Sequence, residues 1–223
     1  MKRLLMLGVI ALFVANLTTA ISLGALNQNF YVRFFDQHDL SAELNMSSND
    51  LARSMADLLD YVIDKKTDLD ILVHVDKQPV QMFNQREVDH MVDVKNLYRG
   101  LVYVQAGGYL VFMIIAISAW FKFKKTFVSE LFAASKQALV LIAVIMVGIG
   151  FYAFVDFNSF WTSFHHVFFT NDLWLLDPTT DRMIMMMPLA LFQKLVIHII
   201  LYWLASLVIY FLLIKTLLFR GKL

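Results

Sequence analysis

The sequence predicts an all-α membrane protein: a four-transmembrane-helix bundle carrying a small extracellular α+β cap. Three observations predict it. Four long apolar runs, Leu4–Leu26, Leu101–Phe121, Leu139–Phe157 and Leu189–Phe219, divide the chain. Each can cross a hydrocarbon core of about 30 Å, which takes roughly 20 helical residues. Lysines and arginines cluster where the runs meet polar chain, and the two long polar segments between runs hold five of the six histidines. Backbone polar groups in lipid must satisfy one another, so the apolar runs are expected as helices.

Composition narrows the function. Of the 223 residues, 59% are hydrophobic, above the roughly 45–50% of soluble domains. The formal net charge of +1 implies no broad attraction to nucleic acid. There is no cysteine, which removes thiol nucleophiles, disulfides, cysteine zinc sites and a lipobox on this chain. Neither zinc-helix spacing, H-E-x-x-H nor H-x-x-E-H, is present, and no metal or other cofactor is expected.

Residues 1–26 form the first expected span. Lys2-Arg3, the apolar stretch and Thr19-Ala20 also fit a cleaved signal peptide, but the run continues past the would-be cut and fills a whole span. It is read as retained. Lys2 and Arg3, then Lys122, Lys124, Lys125 and Lys136, then Lys215, Arg220 and Lys222 fall on one side if both termini are cytoplasmic, as the positive-inside rule favours. Segments 27–99 and 158–188 then face outward.

Within 27–99, Ser48 or Asn49 reads as a helix N-cap with Asp50 in the first turn. Leu51, Met55, Leu58, Leu59 and Val62 recur at helical spacing up to Lys65-Lys66. Leu69–Val75 alternates and is rich in branched residues. Asp76-Lys77-Gln78-Pro79 has turn composition, and Val80–Phe83 is expected to return as a second strand. Aromatic Phe30–Phe35 is expected as a third. Asn84 caps a helix that runs on into the second span, residues 100–121, placing Glu87, His90, Asp93 and Val94 on one face. A cytoplasmic loop, 122–136, leads to the third span, 137–157. Segment 158–188 surrounds His165-His166 with aromatic residues and carries Asp172 and Asp177. An aromatic belt explains the rings but not the ionisable groups among them. The fourth span, 189–219, precedes a cytoplasmic tail, 220–223. Within it Lys194 can snorkel, and His198 is expected to pair with Gln105 or Tyr109. Gly107-Gly108 fits close helix approach.

Two constellations carry chemistry. Glu87-x-x-His90-x-x-Asp93 fits a carboxylate orienting an imidazole, which fixes its tautomer and raises basicity at the other nitrogen. His165 and His166 point about 100° apart on a helix, so only one of them is expected to face His90.

Glu87-x-x-His90-x-x-Asp93-Val94-Lys95, with Phe164-His165-x-x-Phe168-Phe169-x-Asn171-x-x-Trp174-x-x-Asp177-x-x-x-Asp181 and then Pro188, resembles the lipoprotein intramolecular transacylases of Gram-positive bacteria. The likeness extends over nearly the whole chain in span number, orientation and loop lengths, and the second motif is the more specific. It implies an acyltransferase of the bacterial cell membrane whose partner is a diacylglyceryl-modified lipoprotein. The sn-2 acyl chain moves from glycerol to the α-amine of the N-terminal cysteine, giving an N-acyl lyso-form. An ester becomes an amide, so no ATP or acyl carrier is needed. The resemblance implies His90 and His165 as catalytic acid and base, in either order. It also implies Glu87, Asp93, Asn171 and Asp177 as orienting or supporting groups. Phe164, Phe168, Phe169 and Trp174 are implied to bind substrate. Ser163 and Thr162, beside His165, leave an acyl-enzyme route open. The alternatives are a metal-dependent membrane hydrolase and a non-enzymatic accessory or sensory membrane protein.

Overall fold

A computed structural model describes residues 1–220. Of the expected tail, all but Arg220 lies outside the described residues. The chain forms two compact units. One comprises residues 1–23, 101–157 and 197–223; the other comprises 24–100 and 158–196.

The first unit is built from long apolar helices. α1 (Lys2–Ala25), α5 (Gln85–Phe123), α6 (Phe127–Val155) and α9 (Leu189–Arg220) contribute to it. Three apolar helical stretches among the described residues have the length and composition to cross a membrane: Lys2–Ala25, Gln85–Val155 and Leu189–Arg220. The middle one is broken by a 3-10 turn at Lys124–Thr126, where Lys124 takes a positive φ of 47°. The expected loop over 122–136 is therefore mostly helical. Phe127, Leu131, Phe132, Ala134 and Ala138 keep helical spacing and pack on the core, so the chain turns within three residues.

Leu5, Val9, Phe13, Ala119, Leu131, Ala138, Trp203 and Leu207 form this unit's core. The Trp203 indole donates to the Phe13 carbonyl at 3.0 Å, and Ser135 bonds Tyr210 at 2.8 Å. Lys2 pairs with Glu130 at 2.7 Å, placing the N-terminus and the basic turn at one end. Gln105 and Tyr109 do not pair with His198. They bond Thr19 at 2.7 and 2.8 Å, and Tyr109 also donates to Asn16.

The second unit is an α+β assembly of α2 (Gln28–Gln37), α3 (Leu40–Glu43), α4 (Ser48–Val62), β1 (Leu72–Val75), β2 (Gln78–Gln81), α7 (Phe157–Phe168) and α8 (Arg182–Met186), with the first turns of α5 and α9. The strand expected over Phe30–Phe35 is helix α2. Tyr31, Phe34 and Phe35 are its buried positions, an i, i+3, i+4 pattern that a strand would send to both faces. Ser47, not Ser48 or Asn49, caps α4, accepting the Asp50 N–H at 3.0 Å. The helix stops at Val62 rather than at the lysines, because Asp64 turns the chain with a φ of 64°.

The hairpin pairs Val75 with Gln78 and Leu72 with Gln81. The return strand thus starts two residues before the expected Val80. Asp76 and Lys77 both take positive φ, 51° and 64°, the backbone of a type I′ turn, which needs only two residues. Leu69, Ile71 and Val73 alternate inward onto a core of Leu51, Met55, Leu58, Met82, Met186 and Leu191.

A Cβ at Gly108 would meet the Ala11 carbonyl oxygen at 2.8 Å and the Ala15 methyl at 3.0 Å, whereas one at Gly107 would meet nothing within 4 Å. Of these two, Gly108 is the one that lets α1 and α5 approach, and Gly8 on α1 does the same against Ile115. Gly108→Ala should therefore cost about 1–3 kcal/mol as the helices are pushed apart, while Gly107→Ala leaves stability unchanged. Thermal unfolding of the two detergent-solubilised variants checks this pair.

Candidate functional site

The site begins at the N-terminus of α5. Its first amides lack intrahelical partners. Asn84 and Glu87 satisfy two of them as a capping box. The Asn84 side-chain oxygen accepts the Glu87 N–H at 3.1 Å, and Glu87 Oε2 accepts the Asn84 N–H at 2.7 Å. The other Glu87 oxygen accepts the Met183 N–H, at 2.5 Å, from the first turn of α8. Glu87 is 1% exposed, so a segment 96 residues away is bonded to the start of α5 through one buried carboxylate.

A second link lies alongside. The Asn84 amide donates to Asp181 Oδ1 at 2.7 Å, and Asp181 Oδ2 accepts the Asp177 N–H at 2.7 Å. Asp177 itself accepts the N–H and hydroxyl of Thr179. Burial pushes the Asp181 carboxyl up, but the Asp177 N–H, Asn84 and Thr180 outweigh it and hold the carboxyl below its ordinary range.

One turn beyond Glu87, the His90 ring is buried, 8% exposed, with its Nδ1 lacking a hydrogen-bond partner among the described residues. Glu87 is spent on backbone amides. Asp93 accepts the Asn171 side-chain amide at 2.8 Å. Neither carboxylate takes the orienting position expected from the spacing. The His90 pKa is lowered to about 4, chiefly by burial and also by the nearby His165, with Asp93 partly offsetting both.

His165 is held on α7 by helix geometry. Its Nδ1 lies 2.7 Å from the Trp161 carbonyl, one turn back. A carbonyl only accepts, so Nδ1 carries the proton and Nε2 is left with its lone pair. Burial lowers the His165 pKa, the Trp161 carbonyl opposes that, and His166 adds to it. The ring stacks on Trp174 at 4.7 Å and meets the edges of Trp161 and Phe164 at 5.0 and 5.5 Å.

The two imidazoles come together. Their centroids are 6.2 Å apart, and the Phe169 ring lies 5.3 Å from His90 and 5.6 Å from His165. His166 meets Trp174 edge-on at 5.1 Å and is not part of this pair. Phe164 stacks on Trp161, and Phe168 packs on Phe164. Asn171 ties the aromatic wall to α5: its amide reaches Asp93, its carbonyl accepts the Trp174 indole N–H at 2.9 Å, and its side-chain oxygen accepts the Leu173 N–H. Asp177 lies in the turn that Asp181 organises. Among the described residues no group of three His, Cys, Asp or Glu has metal-binding geometry.

The arrangement is a pair of neutral imidazoles in an aromatic pocket, one with its tautomer fixed and the other with a buried, unused nitrogen. It can pass protons and donate hydrogen bonds without holding net charge. Asn84, Asp181 and the Trp161 carbonyl are the supports that reading the sequence as a catalytic site passes over. The Asn84-x-x-Glu87 spacing is the signal for the first; the other two carry none beyond the Asp177-x-x-x-Asp181 spacing and the i, i+4 position of Trp161.

The family model for lipoprotein intramolecular transacylase Lit matches residues 6–192. Among solved structures, the membrane-integral lipoprotein intramolecular transacylase Lit from Bacillus cereus is 22% identical, with a TM-score of 0.76 over 100% of this chain and 98% of that one. A histidine-to-arginine variant of the same enzyme gives 21% identity, a TM-score of 0.76 and coverage of 100% and 94%. A histidine-to-alanine variant gives 21% identity, a TM-score of 0.75 and coverage of 100% and 96%. No curated protein sequence matches the chain.

Glu87→Ala leaves two amide donors without an acceptor, one of them in a buried contact, and should destabilise by about 2–4 kcal/mol. Acid should weaken the fold through His90. Its folded pKa of about 4 lies below the ordinary histidine value of 6.5, so the unfolded chain binds the extra proton between those values. The His90 contribution is intact above pH 6.5 and lost as pH falls to 4, by about 3 kcal/mol at 1.36 kcal/mol per unit. Glu87, pushed up by burial, gains protons in the fold and acts in the opposite direction in acid. Comparing denaturant midpoints of wild type and His90→Gln from pH 7 to 4 isolates the imidazole: the variant should lose less stability than wild type across that range.

Proposed function

The chain belongs to the lipoprotein intramolecular transacylase family, and from that premise we propose how it carries out the transfer. It is an acyltransferase acting on lipoprotein in the membrane. In the proposed reaction the sn-2 acyl chain of the substrate's diacylglyceryl group passes directly to the α-amine of its N-terminal cysteine. The Lys124–Thr126 turn reverses the middle apolar stretch, so the chain crosses the membrane four times with both termini cytoplasmic. The site then works at the extracellular face. The placement of Lys2, Arg3 and the Lys122–Lys136 charges supports this orientation.

The observation that carries the mechanism is the unequal pair of imidazoles, 6.2 Å apart with an aromatic ring against both. His165 is the general base. Its Nδ1–H is committed to the Trp161 carbonyl, which enriches Nε2 and points it at the substrate. His90, pushed to about 4 by burial, stays neutral and donates an N–H to the oxygen that gains charge when the amine attacks. An α-amine has a pKa of about 7.7–8.0 and is largely protonated at neutral pH. His165 takes that proton and later returns one to the leaving glycerol oxygen.

Attack passes through an eight-membered arrangement that closes reluctantly in water. The rings of Phe164, Phe168, Phe169 and Trp174 confine the headgroup so that amine and carbonyl meet at about 3–3.5 Å. Nucleophile and ester belong to one molecule, so neither Ser163 nor Thr162 is needed as an acyl carrier.

Each of His90→Ala and His165→Ala should lower turnover by at least about 10²-fold. Ser163→Ala should leave it near wild type. The measurement is the fragmentation mass spectrum of an S-diacylglyceryl-cysteinyl lipopeptide incubated with each purified protein. Conversion to the N-acyl lyso-form at wild-type rate by either histidine variant overturns the assignment for that residue.

A further inference from the structure

Asp93 lies one turn past His90 on α5 and lines a cavity of about 180 Å³, together with Asn96, Leu97, Phe168, Phe169 and Asn171. Phe169 is shared between this cavity and the imidazole pair. One Asp93 oxygen, Oδ2, accepts the Asn171 amide; Oδ1 has no hydrogen-bond partner among the described residues. The three cations of α5 nearest to Asp93 in sequence are engaged elsewhere. Lys95 and Arg99 both bond Asp64, and Arg86 donates to the Asp172 carbonyl. The cavity beside the histidines therefore contains a half-buried carboxylate, held by Asn171, that forms no ion pair among the described residues.

A fixed, partly desolvated anion is stabilised by receiving a cation with N–H donors. We propose that Asp93 forms the subsite for the α-ammonium group of the substrate, admitting chain ends with a free amine and turning away those already N-acylated. The inference rests on the transacylase mechanism above and makes Asp93 a specificity-determining residue.

The position of the carboxylate suits the chemistry at each stage. Asp93 holds Asn171, whose carbonyl holds the Trp174 indole, and Trp174 stacks on His165. The anion and the base are thus set against each other by one chain of contacts. With the ammonium on Asp93 Oδ1, His165 Nε2 removes one proton, and the amine keeps a second N–H on the carboxylate while its lone pair faces the ester. As the N–C bond forms, nitrogen becomes positive again and Asp93 stabilises that charge. The glycerol C–O bond then breaks as the His165 imidazolium gives its proton to the departing oxygen; the excess proton on nitrogen passes to the freed imidazole and from there to water, so one proton leaves per turnover. The amide product is neutral, no longer pairs with Asp93, and is held more weakly than substrate.

The test compares an S-diacylglyceryl-cysteinyl peptide with the same peptide N-acetylated, in detergent. Binding is measured in a His165→Gln background, where turnover is suppressed. The protein with Asp93 intact should bind the free amine about tenfold or more above the acetylated peptide. Asp93→Asn keeps an oxygen for the Asn171 amide but removes the charge, and should bring the two affinities together. In the background with His165 intact, the same variant should raise KM for the free amine by about tenfold or more, with a smaller loss in kcat. Asp93→Glu should keep the preference for the free amine. An Asp93→Asn protein with the wild-type melting temperature and an undiminished preference overturns the subsite. If Asp93→Asn is unfolded, loss of preference in a folded Asp93→Glu overturns it instead. A wild type that fails to convert the lipopeptide at all defeats the transacylase mechanism; one that converts it while Asp93→Asn discriminates normally defeats only the subsite.

Discussion

The site depends on what Glu87 does with its two oxygens. A buried carboxylate is expensive unless its lone pairs are satisfied, and here one is bonded by the Asn84 N–H and the other by the Met183 N–H. Both donors come from helix starts, whose amides are unpaired and carry the positive end of the helix dipole. One anion thereby joins α5 to α8, and with them the two chain segments that bear the histidines. His90 follows Glu87 by one turn, so its ring direction is set by the cap. The 177–181 turn is fixed by Asp181 and Asn84 in parallel. Without that join, Trp174 and His165 lose their register against His90.

The same spacing therefore carries two meanings, and the structure favours the less catalytic one for Glu87. Glu87-x-x-His90-x-x-Asp93 looks like a carboxylate–histidine–carboxylate relay because i, i+3 residues share a helix face. In the fold each carboxylate points at a different polypeptide segment: Glu87 at Met183, Asp93 at Asn171. Local periodicity shows which residues share a face but not which partner that face meets. The long-range partners of Glu87 and Asp93 lie 96 and 78 residues away, beyond any periodicity argument. What was legible was legible for a local reason. Asn84 caps α5 because its side chain fits the first turn, and the hairpin turns at Asp76-Lys77 because those two residues accept positive φ. The long apolar stretches were legible because lipid imposes their length. Phe30–Phe35 was misjudged as a strand because aromatic residues suit strands in general. Its burial at Tyr31, Phe34 and Phe35 shows that period, rather than residue type, decides an element.

The aromatic wall sets the electrostatics as well as the shape. Phe164, Phe169, Trp161 and Trp174 surround His165, and Phe169 covers His90. Burial is the leading cause of the lowered pKa of both imidazoles. Two protonated imidazoles at this separation would repel in a medium that screens poorly. Keeping both neutral removes that repulsion and leaves each nitrogen free for a single directed role.

Neutrality alone would make the two rings equivalent, and the proposed acyl transfer needs them to differ. The difference comes from one backbone carbonyl. Trp161 lies one helical turn before His165 and accepts its Nδ1–H, whereas His90 Nδ1 is buried with no acceptor or donor among the described residues. The carbonyl favours the imidazolium form at His165 and partly opposes the burial that lowers its pKa. No such group supports protonation at His90, where only the more distant Asp93 opposes burial. In the proposed mechanism a proton taken from the substrate amine is accordingly better accommodated on His165, with His90 as the neutral donor. The division of acid and base roles in the proposed mechanism follows from which imidazole has a carbonyl one turn behind it.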